Sequence, residues 1–151
     1  MSVMTVGVVL CSAAIPAATL AGPSRASQPS YRVSAFTLTQ VNQERRQLPP
    51  GGQAGLCQAI PFTELAPHVR WKGVSRLRAV VELSAPGHRD RRVRRTLRSS
   101  RRSGVQRVTF TPGSLDDAAF PEGRYVVRVL VGGRVLARGD VSLVAPTQRS
   151  C

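Results

Sequence analysis

Arg124–Leu143, with the sequence RYVVRVLVGGRVLARGDVSL, is the stretch that decides the fold of this chain of 151 residues. Apolar residues occupy alternate positions on both sides of Gly132-Gly133, and this period of two is typical of half-buried strands. A two-residue glycine loop between such runs predicts a β-hairpin, because the primed turns that connect hairpins need positive φ. Gly139 in the middle of the second run predicts a bulge. One face of the hairpin carries the residues Tyr125, Val127, Val129, Val131, Val135, Ala137, Val141 and Leu143.

Three further stretches are predicted to be strands. Tyr31–Val41 is apolar with an alternation that slips between Ala35 and Phe36, as at a bulge. Leu77–Leu83 alternates with Glu82 on its outward face, and Val105–Thr111 precedes the turn residues Pro112-Gly113. Between them lie a turn (48–52) and two short apolar pieces (56–62 and 69–71), which are predicted to be broken by Pro61 and Pro67. With no amphipathic helix in the pattern, the chain is predicted to be all-β, an antiparallel sandwich of about seven strands.

Phe120-Pro121-Glu122-Gly123-Arg124-Tyr125, with Leu115 upstream and the valine-rich hairpin downstream, resembles the last two strands of immunoglobulin-like and fibronectin type III-like domains. The resemblance covers residues 115–144. It implies an immunoglobulin-like sandwich in which Tyr125 forms the structural tyrosine corner. Val127 stands where antibody domains have their second inter-sheet cysteine, so the resemblance is to the wider bacterial group of secreted domains.

The first 21 residues resemble a secretory leader. Val3–Leu20 is uncharged and mostly apolar, and Thr19-Leu20-Ala21 has the small residues of a signal-peptidase site. No basic residue precedes the apolar run, and an N-terminal strand or anchor is the alternative. We therefore expect a signal peptide (1–21), a flexible entry segment (22–30), the sandwich (31–146) and a tail (147–151), with the mature chain secreted or periplasmic and lacking a transmembrane span.

Cleavage after Ala21 would leave two cysteines, Cys57 and Cys151. In an oxidising compartment an even pair predicts a disulfide, which here would tie the last residue back to the domain. Pairing between two chains through Cys151 is the alternative.

The chain is strongly basic, with a formal net charge of +14. This excess of positive charge favours acidic partners whatever the fold. Its densest part is a ribbon from His88 to Arg102, opposed only by Asp90. The predicted polyanion-binding residues are Arg89, Arg91, Arg92, Arg94, Arg95, Arg98, Arg101 and Arg102.

Two interpretations of the ribbon remain open. Val93 and Leu97 could face inward from an edge strand whose outer side is entirely arginine, and the charge would then only keep that edge from pairing with other chains. Alternatively the arginines contact phosphate, an acidic glycan or an acidic protein, with salt-dependent affinity. No aromatic residue is interleaved, which argues against base stacking and against sequence-specific nucleic-acid recognition.

No catalytic or cofactor motif stands out. His68 and His88 lack metal-ligand spacing, and Asp116-Asp117 is typical of a solvated turn. We therefore expect no enzyme, no metal and no cofactor, but a binding or structural module that presents its arginines to an acidic protein or a polyanionic envelope component. The alternative is an inhibitor or accessory subunit that binds one specific enzyme.

Overall fold

A computed structural model describes residues 28–57, 59–87 and 92–145. The predicted leader, the tail and residues 88–91 lie outside this part of the chain. The described residues form strands and one short 3-10 helix, Pro112–Leu115. The strands are β1 Ser30–Gln40, β2 Arg45–Leu48, β3 Gln53–Gly55, β4 Phe62–Lys72, β5 Leu77–Ser84, β6 Arg92–Ser99, β7 Gly104–Arg107, β8 Gly123–Val131 and β9 Arg134–Val144.

The strands form two sheets, which confirms the all-β sandwich. One sheet has the order β2-β1-β4-β7 and the other the order β3-β9-β8-β5-β6. Every pairing is antiparallel except that of β3 with β9. The described residues hold nine strands where about seven were predicted. The additional ones, β2 and β3, are four and three residues long and lie in a segment whose sequence shows mainly turn residues.

The core lies between the sheets and is built from the alternating residues of their inner faces. In β5 and β8, Leu77, Val81, Val127 and Val129 are at most 1% exposed. From the other sheet, Phe36 and further apolar side chains of β1 and β4 join the same cluster. Burial of these apolar side chains is the main stabilising contribution to the two-layer fold.

The predicted hairpin between β8 and β9 is confirmed. Gly132 and Gly133 have φ values of 57° and 79°, so both use the left-handed region that a primed turn requires. The pairs Arg128↔Arg138 and Val129↔Ala137 continue the ladder below the turn.

Both predicted bulges are displaced. In β1 the register shifts between Val33 and Ala35, so Ser34 is the extra residue, and its hydroxyl donates to the carbonyl of His68 at 3.2 Å. In β9 the shift lies at Leu136 instead of Gly139. Gly139 has another role: a Cβ there would lie 2.8 Å from Cβ of Val33 in the opposite sheet, so glycine permits close inter-sheet contact.

The predicted break at Pro67 is wrong, since β4 passes through this residue as one long strand. Pro67 has no N–H to donate, and it sits where the ladder with β7 is interrupted between Arg107 and the Leu65↔Phe110 bridge. Its carbonyl still accepts from the Val108 N–H at 3.1 Å. An interrupted ladder thus accommodates proline in an interior strand.

Tyr125 is fully buried at the start of β8. Its hydroxyl donates to the carbonyl of Pro121 at 2.7 Å, and its ring meets that of Phe120 edge to face with centroids 5.8 Å apart. Burial raises the pKa of Tyr125, with a further contribution from the negative charge of Asp117. The residue therefore stays neutral and fixes the connection that enters β8, as a tyrosine corner does.

Candidate anion-binding surface

Four of the eight predicted ribbon arginines, Arg92, Arg94, Arg95 and Arg98, lie on β6, an edge strand of the five-stranded sheet. Leu97 is buried and Val93 is half-buried, so these two residues face inward. The outer side is not entirely arginine, because Thr96 stands among Arg92, Arg94 and Arg98. Arg95 lies on the inward side, opposite Val81, and is exposed because no strand covers this edge.

The remaining ribbon residues are not part of the strand. Arg101 and Arg102 lie in the loop between β6 and β7. Arg89 and Arg91 lie outside the described residues, and their role stays a prediction.

Glu82 of β5 offsets part of the positive charge in the middle of the ribbon. The sequence placed this residue in solvent, but its side chain is only 2% exposed. Its carboxylate accepts from Arg94 Nε at 3.0 Å and from Arg128 Nη1 at 3.1 Å, and Arg92 Nη1 lies 3.7 Å away. The physical reason is the register: Arg94 and Arg128 stand directly opposite Glu82 on the two flanking strands, and their long side chains cover it.

This cluster changes which arginines are available to a ligand. A carboxylate removed from water needs its charge-assisted hydrogen bonds, so Arg94 and Arg128 are committed to Glu82. An incoming anion would compete with Glu82 for the same guanidinium groups. The centre of the outer face is therefore a poorer anion site than its sequence suggests.

Basic residues without an ion pair among the described residues lie at one end of the sandwich, where β4 and β6 end and where β5 and β7 begin. We call this the basic end. The register pairs Ser30 with Lys72 and Leu77 with Ser99, which places basic residues from distant parts of the chain together. They are Arg32, Arg70, Lys72, Arg76, Arg78, Arg98, Arg101, Arg102 and Arg134.

The described carboxylates lie elsewhere. Glu44 and Glu64 are near the opposite end of the first sheet, and Asp140 pairs with Arg124 at 2.9 Å towards that end of the second. Asp116, Asp117 and Glu122 belong to the connection between β7 and β8, which leads to the start of β8 at that opposite end. None of the ion pairs found within the described ranges involves a residue of the basic end.

A hollow of about 460 Å³ at the basic end is lined mainly by arginine and serine. We call it the basic cleft. Arg78 and Arg98 stand directly opposite each other across β5 and β6, and no described carboxylate separates them. Its lining consists of Arg76, Leu77, Arg78, Arg98, Ser99, Ser100 and Arg101.

The loop that carries Arg101 and Arg102 is held by hydrogen bonds at 3.0 to 3.1 Å. Trp71 Nε1 donates to the carbonyl of Arg101 at 3.0 Å, and the Val74 N–H donates to the carbonyl of Arg102 at 3.0 Å. The Arg101 N–H donates to Oγ of Ser99 at 3.1 Å. Because Trp71 belongs to the other sheet, these bonds fix the loop to both layers of the sandwich.

A second hollow, of about 610 Å³, lies on the first sheet at the same end. Tyr31 and Trp71 line it together with Arg32, Arg70 and Lys72. Arg98 and Arg101, which line the first hollow, belong to the predicted ribbon. The other basic residues of the two hollows were not predicted from the sequence, because they are scattered singly along the chain: Arg32, Arg70, Lys72, Arg76 and Arg78. The only available signal was that each stands beside a predicted strand end or on a predicted strand's outer face.

The structure describes His68 and both aspartate candidates, Asp116 and Asp117. His68 Nε2 lies 2.8 Å from Oγ1 of Thr37, and burial, followed by the charge of Arg107, lowers the pKa of His68. Asp117 has one buried carboxylate oxygen without a hydrogen-bond partner. Over the described ranges no group of three metal-ligating side chains comes together. His88 lies outside them.

Cys57 is 4% exposed and disulfide-bonded. Cys151 lies outside the described residues, so the pairing of these two cysteines stays a prediction. Among the described residues, no helix is long and apolar enough to cross a bilayer.

No family model matches the chain, and no curated protein matches it significantly. Among solved structures, the chain is similar to the CARDB domain of a Pyrococcus furiosus protein, crystallised in complex with di-metal ions. The identity is 16%, the match covers 78% of this chain and 94% of that one, and the TM-score is 0.36. The two-sheet topology of this chain places it in the β-sandwich class.

Proposed function

We propose that this protein is a non-catalytic binding module that acts outside the cytoplasm and holds an acidic partner through its arginine-rich surface. The observation that carries the proposal is the segregation of charge: basic residues of both sheets share one end, and the described carboxylates lie away from it or are already paired. Separated charge of this kind steers and retains anionic partners.

The choice of residue supports an oxyanion as the recognised group. Apart from Lys72, the basic residues of this end are arginines. The planar guanidinium donates two parallel hydrogen bonds to a phosphate, sulfate or carboxylate group, which an ammonium group cannot do. The two-layer scaffold fixes the backbone positions from which these side chains extend.

Binding to unrelated polyanions tests the proposal. The protein is expected to be retained on heparin and on polyglutamate at about 50 mM salt and to be released as the salt concentration rises. Binding releases the counterions of the polyanion, and this release becomes less favourable when more salt is present. A neutral dextran matrix of the same porosity is the control. Failure to bind either polyanion at low salt would refute the proposal, and stoichiometric binding to one protein alone would favour the inhibitor or accessory-subunit alternative.

A further inference from the structure

We infer that the basic cleft binds the phosphate or sulfate groups of a linear polyanion. The centre of the arginine ribbon is not the main binding site for such a chain. The inference rests on the proposed function and adds a location and a chemical class of ligand.

Like charges stand opposed at the basic cleft of the folded protein. Arg78 and Arg98 face each other directly on adjacent strands, where like charges are destabilising. Elsewhere on the same sheet, the chain relieves such repulsion with Glu82, which lies between Arg94 and Arg128. No described carboxylate does this at the cleft, so an external anion is the group that would relieve the repulsion.

The backbone of the basic cleft is fixed before an anion binds. The Trp71 and Val74 hydrogen bonds fix the backbone at Arg101 and Arg102, and the β5–β6 ladder fixes Arg78 and Arg98. An anion that enters the cleft therefore meets donors whose backbones are already placed. Ser99 and Ser100 are also among the residues that line the hollow.

The residues around the cleft favour a soluble polyanion over a membrane surface. The loop tips that border the cleft carry serine, arginine and glycine, and Val74 among them is buried. A membrane-inserting surface would expose apolar side chains at such tips. A polar and cationic hollow instead fits a charged group on a soluble chain, and a second basic hollow lies at the same end of the sandwich on the other sheet.

Two quadruple variants with the same loss of charge test the inference. The cleft variant carries Arg76→Gln, Arg78→Gln, Arg98→Gln and Arg101→Gln. The control variant carries Arg45→Gln, Arg46→Gln, Arg107→Gln and Arg138→Gln, exposed arginines away from the cleft. Affinities for a size-defined heparin oligosaccharide and for polyphosphate are measured by calorimetry, with phosphatidylglycerol vesicles as a third arm.

The cleft variant is expected to bind at least about tenfold more weakly than the control variant, which corresponds to about 1.4 kcal/mol. Heparin and polyphosphate separate sulfate from phosphate recognition, and tight binding of either supports the inference. Equal weakening of both variants would overturn it while leaving the proposed function intact, since binding would then follow net charge. Binding of wild type to vesicles alone would also overturn it, and binding to no polyanion would refute the proposed function itself.

A single substitution distinguishes a binding role from a structural one. Arg78→Thr removes the repulsion with Arg98 and keeps a residue suited to a strand. It is expected to leave thermal stability unchanged or higher while weakening heparin binding. A loss of stability with unchanged binding would assign Arg78 a structural role and contradict the inference.

Discussion

At the scale of single residues, Glu82 shows most clearly what sequence could and could not reveal. Its position in the alternating run of β5 placed it on the outer face. That assignment of the face is right, because Glu82 lies on the same side of the strand as the exposed Arg78. Its burial depends on Arg94 and Arg128, which lie 12 and 46 residues away along the chain. Tyr125 differs, because the local motif around it already indicated its structural role.

Replacing Glu82 by Gln tests the cost of breaking this cluster. The neutral amide would leave Arg128 and Arg94 without their carboxylate acceptor, and we expect a loss of about 2 kcal/mol in the free energy of unfolding. Asp140→Asn is the control, since it breaks the more exposed pair with Arg124 and should cost less than about 1 kcal/mol. Both variants are measured by urea denaturation, and equal losses in their free energies of unfolding would contradict this account.

The pH dependence of stability should report on His68. Burial and Arg107 lower its pKa below the ordinary value of 6.5, so the unfolded chain binds this proton more tightly than the folded one. The stability that the folded protein gains from keeping His68 neutral is fully present above pH 6.5 and is lost as the pH falls below that value.

We expect wild type to lose more stability than His68→Gln when the pH is lowered from about 8 to about 5. His88 is common to both proteins, so the difference isolates His68. Identical pH profiles in chemical denaturation would show that the folded state does not disfavour the charged imidazole.

At the scale of elements, periodicity predicted β1, β5, β8 and β9, but neither the short strands β2 and β3 nor the irregularities within strands. The β8–β9 hairpin was predictable because its turn and both alternating runs are local. The role of Gly139 was not, because it depends on Val33 in the opposite sheet. The continuity of β4 through Pro67 was missed for the same reason, since it depends on where the ladder with β7 pauses.

Gly104, at the start of β7, offers a test at this scale. A Cβ at this position would lie 2.8 Å from Cζ2 of Trp71, so Gly104→Ala forces the indole or the strand to move. We expect a loss of about 1–3 kcal/mol, typical of overpacking. Gly113→Ala is the matched control, because a Cβ there meets nothing within 4 Å. Equal thermal stability of the two variants would contradict the close packing of Trp71 on β7.

At the scale of the whole molecule, the decisive feature is where the fold places charge. The sequence shows one dense run of arginines and therefore predicted a ribbon. Folding divides that run: Arg92 and Arg94 meet Glu82, whereas Arg98 and Arg101 join Arg76 and Arg78 at the basic end. Sequence could predict the excess of positive charge but not this partition, which depends on strand order and register.

Arginine side-chain signals in nitrogen–proton correlation spectra test this partition most directly. During titration with a heparin oligosaccharide, we expect the Nε–Hε signals of Arg76, Arg78, Arg98 and Arg101 to shift first and furthest. The signals of Arg94 and Arg128 should hardly move, because Glu82 already accepts their hydrogen bonds. Larger shifts at Arg94 and Arg128 than at the cleft would contradict the account.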